Sequence, residues 1–386
     1  CANVPENPAR NFYEACQTFW FIQMLLQIES SGHSISAGRF DQYLYPYYKN
    51  SIDNGSLTRE FAQEILDCIW VKFNDLNKAR DEASSYGFAG YSLFQNLTAG
   101  GQNAEGIDAT NDLSFLCIQA STHTQLPAPS FSVRIWNGTP NEFLIKCAEL
   151  TRTGVGLPAY YNDEVIIPAL MSRGVTLADA REYGIIGCVE PQKPFKTDGW
   201  HDAAFFNMCR PLELVFSNGV DKGVQISIKT GNVEDMTTFE EFYNAYKAQE
   251  TYMIGLMVNA INAIDTAHSE RVPLPFLSCM VEDCVKEGKT VQEGGAHYNF
   301  TGPQGFGIAN MADGLWAVKT LVFDEKKVSM AELKDALIHN YGQGLSPKAA
   351  KNATQEVVIN LAKAGKSVNE SQVADICRMF LTGEQD

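Results

Sequence analysis

Residues 183–192, with the sequence YGIIGCVEPQ, contain the pattern on which our prediction of fold and chemistry depends. The segment begins as a short apolar run typical of a strand, and we expect the strand to end at Pro191, because proline cannot continue a central ladder. Cys188 and Glu190 are two residues apart, so in extended chain their side chains point to the same side. We therefore predict a thiol and a carboxylate that face one pocket, with Gly187 leaving room beside them.

The composition is that of an ordinary globular protein, with 45% apolar and 20% charged residues in 386. Thirty basic against forty-six acidic side chains give a net charge of -16, and no run of lysine or arginine offers a phosphate-binding stripe. Nucleic acid and anionic membranes are therefore not expected as partners. No apolar stretch reaches membrane-spanning length and no signal peptide is recognisable, so the sequence predicts a cytoplasmic protein.

Ten cysteines are scattered along the chain without the CxxC-type spacing that indicates a zinc or iron–sulfur site, so no metal is predicted. In a cytosolic protein most cysteines are small buried apolar residues. Only Cys188 has a local setting that argues for a chemical role.

Several chemistries could use the Cys188 thiol. A cysteine hydrolase needs a thiolate activated by a histidine, and His201 is the nearest in sequence. A carboxylate at Glu190 would raise the pKa of the thiol and oppose thiolate formation. A neutral thiol is suited to losing a hydrogen atom instead. The thiyl radical that results could abstract hydrogen from carbon while Glu190 deprotonates a hydroxyl on that carbon.

Helix-type and strand-type segments alternate along the chain, which favours an α/β architecture with a largely parallel sheet. Helices are predicted at 8–30, 59–75, 107–123, 141–153, 209–218, 238–266 and 310–320, and strands at 127–135 and 271–280. Phe94 and Gln95 are placed on a strand that leads into the turn at residues 100–101. The stretch 295–309 is predicted as a glycine-rich loop that does not match a nucleotide-binding motif.

The GCVEP motif at Gly187 to Pro191 resembles the signature of the glycyl radical enzymes that perform eliminations. Other segments resemble that family in the same order within residues 8–342: FWFIQMLLQIES with GHSISAGRFDQYLYPYY, FQNLTAGGQ, KTDGWHDAAFFN and YNFTGPQGFGIANMADGL. The resemblance implies a ten-stranded α/β barrel of the pyruvate formate-lyase-like type, surrounded by helices. Residues 1–386 would be the central part of this single barrel domain, whose closed interior protects a radical.

The resemblance assigns the chemistry to two residues. Cys188 matches the cysteine that becomes a thiyl radical, and Glu190 matches the general base that takes a proton from a substrate hydroxyl. It also implies a glycyl radical installed by a separate S-adenosylmethionine-dependent iron–sulfur activating enzyme, with no cofactor bound in the barrel itself. A small-molecule substrate, a homodimer and anaerobic metabolism are further implications.

Five other residues match substrate contacts of the same family. Asp202 is similar to the aspartate that binds hydroxyls in the glycerol and propanediol dehydratases, with a local turn or cap as the alternative role. His33 and Ser34 resemble the polar loop contacts of that subgroup, with loop bracing as their alternative. Phe94 matches an aromatic wall of the cavity, or is a core residue, and His201 is expected to shape the pocket.

Two features depart from the family pattern. The Arg-Val-x-Gly-Tyr type of loop that stores the radical is absent from these 386 residues, and family members begin well upstream of a position such as Cys1. We therefore expect a central fragment that cannot generate its own radical. Residues 345–386 have the pattern of two amphipathic helices and are not matched to the family.

The sequence thus predicts a radical dehydratase, a lyase, acting on a small 1,2-diol such as glycerol or propane-1,2-diol. Choline trimethylamine-lyase and hydroxyproline dehydratase, of the same family, are alternatives. A trimethylammonium substrate calls for carboxylates and aromatic rings, whereas His33, Ser34 and Asp202 favour a diol. A non-catalytic chain or a split subunit that needs a partner chain is a further alternative, and a cysteine hydrolase is the third.

Overall fold

The computed structural model describes residues 3–30, 34–78, 81–87, 93–339 and 341. It divides into two compact units, the first formed by Cys1–Ala203 and Ala263–Gly302 and the second by Ala204–Asn262 and Pro303–Asp386. His33 and the segment 345–386, for which the sequence predicts a substrate contact and two helices, lie outside the described residues.

Helices and strands alternate through the described part of the chain. The α-helices are α1 (Phe12–Glu29), α2 (Phe40–Tyr43), α3 (Tyr45–Asp53), α4 (Arg59–Asp75), α5 (Glu82–Gly87), α6 (Asp112–Thr124), α7 (Asn141–Thr151), α8 (Asp163–Met171), α9 (Leu177–Arg181), α10 (Cys209–Phe216), α11 (Phe239–Arg271), α12 (Pro275–Cys279), α13 (Cys284–Glu287), α14 (Ile308–Val318) and α15 (Met330–Ile338). The strands are β1 (Asn96–Gly100), β2 (Ser130–Ile135), β3 (Ala159–Asn162), β4 (Gly184–Ile186), β5 (Glu190–Gln192), β6 (Thr197–Asn207), β7 (Val220–Asp221), β8 (Val224–Gln225) and β9 (Tyr298–Phe306). None of the described helices has the length and apolar character that crossing a membrane requires.

The three-stranded sheet of the first unit has the order β1-β2-β3, with all strands parallel. Every residue of β1 is buried, as expected for a parallel strand that is covered on both faces. The α6 helix packs against β1, α4 and α7. The other described strands pair two by two, β4 with β5 and β7 with β8 in antiparallel fashion, and β6 with β9. The predicted α/β alternation is confirmed, and β1, β2 and β3 form a parallel sheet within the described residues.

The α4 helix shows how local sequence determines the helices of the first unit. Thr58 is its N-cap, and its side-chain oxygen accepts a hydrogen bond from the backbone N–H of Phe61. Leu66, Trp70 and Phe73 recur at helical spacing and are almost completely buried. Burying each such side chain stabilises the fold by about 1.5–3 kcal/mol. The predicted bounds, 59–75, are confirmed.

The second unit has an apolar core of its own. Val215 of α10, Phe242 and Tyr246 of α11 and Leu315 of α14 are buried in one cluster. Ser329 and Glu332 form a reciprocal capping box that starts α15. Helices 209–218 and 310–320 are confirmed as α10 and α14, with shifts of up to two residues at their ends.

The prediction of a buried strand at 271–280 is wrong, because this segment contains the short helix α12. Its first helical residue is Pro275, a position where the missing N–H costs nothing. The Glu29 carboxylate, from the end of α1, accepts hydrogen bonds from the backbone N–H groups of Phe276 at 2.7 Å and Leu277 at 2.8 Å. This cap comes from a residue almost 250 positions away, so local sequence could not indicate it.

The stretch 295–309, predicted as a loop, contains the strand β9. Tyr298, Phe300 and Gly302 are partly buried while the residues between them are exposed, which is the alternation of a strand. The rings of Tyr298 and Phe300 stack with their centroids 6.4 Å apart. The glycines and the proline of this stretch concealed the alternation in the sequence.

Candidate active site

Cys188 lies in a tight turn between β4 and β5 and not in extended chain. Ile186 is paired with Glu190 across the antiparallel hairpin, and Gly187 has a φ of +57°, a left-handed conformation that reverses the chain. The expectation that the chain is extended from Cys188 to Glu190 is therefore wrong, because residues 187–189 form a turn. Pro191 continues the hairpin opposite Ile185, because a two-stranded ribbon has a free edge that tolerates its missing N–H.

Side chains from three separate segments hold the backbone of this turn. The N–H of Gly187 donates to Oγ of Ser36 at 2.9 Å, and its carbonyl accepts from Nδ2 of Asn96 at 3.1 Å. The hydroxyl of Tyr161, on β3, donates to the carbonyl of Cys188 at 3.1 Å. The sequence reasoning missed all three of these side chains, because only the fold brings them to the turn.

A cavity of about 390 Å³ lies in the first unit beside the hairpin. It contains four of the residues that the sequence predicts as site residues. These four are Ser34, Glu190, His201 and Asp202.

The other predicted site residues have different positions. Cys188 is partly exposed in the turn between Ile186 and Glu190, which both line the cavity, but it is not itself among the described lining residues. Phe94 is partly buried with a left-handed φ of +46°, and the described cavity lining does not include it. His33 lies outside the described residues.

The Glu190 carboxylate is held by its own hairpin. Its Oε2 atom accepts a hydrogen bond from the backbone N–H of Val189 at 2.9 Å. Burial raises the pKa of Glu190, and the negative charge of Asp202 adds to that rise, while the hydrogen bond from Val189 opposes it. A carboxylate with a raised pKa is a stronger base than an exposed one.

Asp202 lies within β6 with a left-handed φ of +56°. Such a backbone conformation is uncommon outside glycine, and aspartate is one of the residues that tolerate it. Its position inside a strand does not suit the alternative role of a helix cap. The side chain faces the same cavity as Glu190, so two carboxylates share one partly dehydrated space.

His201 is packed tightly against two glycines and an amide. Its Nε2 atom is 3.0 Å from Oε1 of Gln192. A Cβ atom on Gly199 would lie 2.3 Å from Nε2, and one on Gly302 would lie 2.8 Å from Nδ1, so only glycine leaves room for the ring at both positions. Burial lowers the pKa of His201, and the charge of Asp202 partly opposes this effect.

The cavity also contains residues that the sequence reasoning did not select. Burial raises the pKa of Asp198 to about 6, and the charge of Asp265 adds to the effect. The rings of Trp200 and His268 meet edge to face with centroids 5.3 Å apart. Asp198 and Trp200 belong to the same KTDGWHD segment as Asp202, which could have indicated them, whereas Asp265 and His268 reach the cavity from α11.

No cluster of three or more histidine, cysteine, aspartate or glutamate side chains suitable for a metal ion occurs within the ranges that the structure describes. The polar groups of the cavity are instead arranged as hydrogen-bond donors and acceptors around a small volume. The carboxylates of Glu190 and Asp202, with the His201 imidazole and the Ser34 hydroxyl, can together bind a small polyhydroxylated molecule.

The chain as a whole is similar to known proteins of one family. Residues 1–366 match the family described as pyruvate formate lyase-like. The (2S)-3-sulfopropanediol dehydratase of Klebsiella oxytoca is 40% identical over 348 residues, covering 88% of this chain and 42% of that enzyme. A solved structure on 1,2-propanediol dehydration in Roseburia inulinivorans is 64% identical with a TM-score of 0.88, covering 100% of this chain and 46% of that one. The glycerol-bound, B12-independent glycerol dehydratase of Clostridium butyricum is 56% identical with a TM-score of 0.86, covering 97% of this chain and 46% of that one.

The chain therefore spans less than half the length of each of these three proteins. The structural likeness confirms the predicted fold class, the α/β barrel of the glycyl radical enzymes. These relatives are dehydratases, and with the family match they confirm the predicted family resemblance. On the match over residues 1–366 and on these likenesses, the chain belongs to the pyruvate formate lyase-like family of glycyl radical enzymes.

Proposed function

We propose that the intact protein is a radical dehydratase of a small 1,2-diol, such as propane-1,2-diol or glycerol. The observation that carries the proposal is that Ser34, Glu190, His201 and Asp202 line one cavity beside the Cys188 turn. The similarity to dehydratases of propanediol and glycerol supports a diol as the substrate.

Cys188 is the residue that would act on carbon. When a glycyl radical is present, it would convert the Cys188 thiol into a thiyl radical by removing the hydrogen atom from sulfur. Cys188 fits this role because its side chain is partly exposed and its backbone is held by the contacts of Gly187 and Tyr161. The Cys188 sulfur would then take a hydrogen atom from C1 of the diol.

Glu190 is the general base of the proposal. Its carboxylate would take the proton from the C1 hydroxyl, which leaves a ketyl radical at C1. The ketyl then expels the neighbouring hydroxyl from C2 as the C1–O bond becomes a carbonyl. The raised pKa of Glu190 favours this proton transfer, because the carboxylate holds the proton more tightly in the cavity than it would in water.

Asp202 and His201 bind the hydroxyl that leaves. The C2–O bond breaks, the proton taken from C1–OH is delivered within the cavity, and water is released. The carbon radical at C2 takes a hydrogen atom back from the Cys188 thiol, which restores the thiyl radical. The products are an aldehyde and water, so the reaction has no net oxidation or reduction.

A second candidate is a substrate with a cationic nitrogen, such as choline or hydroxyproline. The observation that favours it is the pair of carboxylates, Asp198 and Asp265, near the Trp200 ring in the same cavity. Carboxylates and aromatic rings attract ammonium groups. The diol remains the first proposal, because hydrogen-bonding groups surround Glu190 itself.

The test uses the full-length protein after anaerobic activation by its activating enzyme. Propane-1,2-diol, glycerol, choline and hydroxyproline are offered in turn, and the glycyl radical is quantified by electron paramagnetic resonance. We expect aldehyde formation from a diol, and a loss of at least about 100-fold in Glu190→Gln at an unchanged radical yield. Glu142→Gln, at an exposed site on α7, is the matched control. Full turnover by Glu190→Gln, or no turnover of any substrate despite a normal radical yield, would overturn the proposal.

A further inference from the structure

Two peptide planes determine the direction in which the Cys188 side chain points. The plane before it contains the Gly187 carbonyl, which is held by Nδ2 of Asn96 at 3.1 Å. The plane after it contains the Cys188 carbonyl, which accepts from the Tyr161 hydroxyl at 3.1 Å. Because peptide units are rigid, holding both planes sets φ and ψ of Cys188 and therefore the position of its sulfur.

The peptide plane that precedes these two, between Ile186 and Gly187, is held as well. Oγ of Ser36 accepts from the N–H of Gly187 and also from the N–H of Asn96 at 3.0 Å, while its own hydrogen goes to the carbonyl of Ser34. Asn96 in turn donates to Oγ of Ser132 on β2. For the second plane, Tyr161 is the side chain whose bond to the Cys188 carbonyl the described structure shows.

We propose that Tyr161 is a positioning residue that fixes the backbone of Cys188, and so aims its sulfur, from β3 of the parallel sheet. This inference rests on the proposed function, since aiming the sulfur has a purpose only if Cys188 reacts with a substrate. The β3 strand is anchored to β2 by parallel pairing from Ser132 to Ile135, so the phenol is attached to a rigid element.

The environment of Tyr161 keeps its hydroxyl a donor. Burial raises the pKa of Tyr161, and the charge of Glu190 adds to that rise, while a hydrogen bond with the side chain of Ser132 opposes it. The ring packs against the apolar cluster that includes Ile167 and Tyr183. A Tyr161→Phe variant therefore keeps the packing and loses the hydrogen bond to the turn, together with the contact of the hydroxyl with Ser132.

The neighbouring residue provides a matched control. Tyr160 points to the opposite face of β3 and is 44% exposed, and its hydroxyl lies 2.7 Å from Oγ1 of Thr151. Tyr160→Phe removes a tyrosine hydroxyl and one side-chain hydrogen bond from the same strand, but it leaves the Cys188 turn untouched.

The experiment compares the full-length wild type with Tyr161→Phe and Tyr160→Phe. Hydrogen–deuterium exchange of the non-activated proteins is followed in the peptide covering residues 183–192, with the peptide of α6 as an internal reference. We expect exchange in 183–192 to be about tenfold faster in Tyr161→Phe, because a typical net hydrogen bond corresponds to about that factor, while α6 and the Tyr160→Phe protein match the wild type. Unchanged exchange in 183–192, or equal acceleration in α6, would overturn the proposal.

Steady-state kinetics of the activated proteins complete the test. We expect Tyr161→Phe to lower kcat about tenfold and to change KM less than twofold, since the substrate contacts remain while the sulfur is less well aimed. Wild-type kcat in Tyr161→Phe would refute the positioning role even if exchange is faster. A wild type that is inactive on every substrate would overturn the proposed function, and the exchange data would then still decide whether Tyr161 fixes the turn.

Discussion

Nε2 of His201 lies 3.0 Å from Oε1 of Gln192, and this contact determines which ring nitrogen carries the hydrogen. An amide oxygen can only accept, so Nε2 is the donor and Nδ1 keeps its lone pair. Burial lowers the pKa of His201, which keeps the ring neutral near pH 7. A neutral imidazole of fixed orientation is therefore part of the cavity that contains Glu190 and Asp202.

Gln192→Glu should raise the pKa of His201. A carboxylate within hydrogen-bond distance of Nε2 favours the imidazolium form, typically by one or more pKa units. Nuclear magnetic resonance titration of the ring carbons would measure the change. A His201 titration that does not move would show that Gln192 is not its partner in solution.

Gly187→Ala should destabilise the protein more than a Gly→Ala substitution at a positive-φ position where the added carbon meets no other atom. The residue has a φ of +57°, and a Cβ atom there would lie 2.6 Å from Oγ of Ser34, so backbone strain and a steric clash act together. Gly154→Ala is the control, since Gly154 also has a positive φ of +82° but no atom within 4 Å of the added carbon. We expect about 1 kcal/mol for Gly154→Ala and at least about twice that for Gly187→Ala in urea unfolding. Equal losses would argue against the contact with Ser34.

Asp202→Asn should move the acid limb of the pH–rate profile to lower pH. The proposed base, Glu190, must be ionised, and the Asp202 charge contributes to the rise of its pKa. Removing that charge lowers the pKa of Glu190, so activity relative to its maximum extends further into acid. Asp53→Asn, at an exposed ion pair with Lys49, is the control. A limb that stays in place or moves upward would contradict the coupling between the two carboxylates.

Asp198→Asn should improve stability at neutral pH relative to acid pH. A carboxyl group whose pKa is higher in the folded than in the unfolded state binds its proton more tightly when folded, so it stabilises the fold below its ordinary pKa of 3.8 and this contribution is lost as the pH rises through about 6. The rise corresponds to at most about 3 kcal/mol. The Tm difference between variant and wild type should therefore be more positive at pH 7.5 than at pH 4.5.

The control for this change is Asp75→Asn, at an exposed site on α4 paired with Lys72. Its Tm difference from the wild type should stay within about 1 °C at both pH values, because surface ion pairs contribute little. If the difference between Asp198→Asn and the wild type were the same at both pH values, Asp198 would be ionised without penalty in the fold.

Arg134→Met should be among the most damaging single changes in the first unit. Arg134 and Asp163 are completely buried and form two hydrogen bonds of 2.9 and 2.8 Å, and the guanidinium also donates to the carbonyls of Arg181 and Tyr183, just before β4. Breaking a buried pair leaves an uncompensated charge and costs about 3–5 kcal/mol. Urea unfolding would measure the loss.

Arg59→Met is the matched control for that prediction. Arg59 pairs with Asp112 at 3.2 Å, and both side chains are more than 40% exposed. The expected loss is below about 1 kcal/mol, because water screens an exposed pair. Similar losses in the two variants would mean that the buried pair contributes no more than a surface one.

Seven of the fifteen described α-helices, including the longest ones, and the family were predictable from the sequence. The apolar spacing and the Thr58 cap of α4 are local signals, and a helix satisfies its own backbone, so the predicted bounds agree with the structure. The motif around Cys188 and the segment containing Asp202 indicated the family for a different reason. They show the reacting residues directly, as residue types at a fixed spacing along the chain.

The geometry of the site depends on contacts between segments that are far apart in the sequence. The left-handed Gly187 converts the expected strand at Cys188 into a turn, and Glu29 caps a helix where the sequence suggests a strand. Tyr161 and Asp265 reach the turn and the cavity from elements that are distant in sequence. Such contacts depend on which segments pack together. Packing is determined by many weak interactions over the whole chain, so no local stretch of sequence indicates it. The residues of the chemistry can therefore be read locally, whereas their directions and pKa values follow only from the fold.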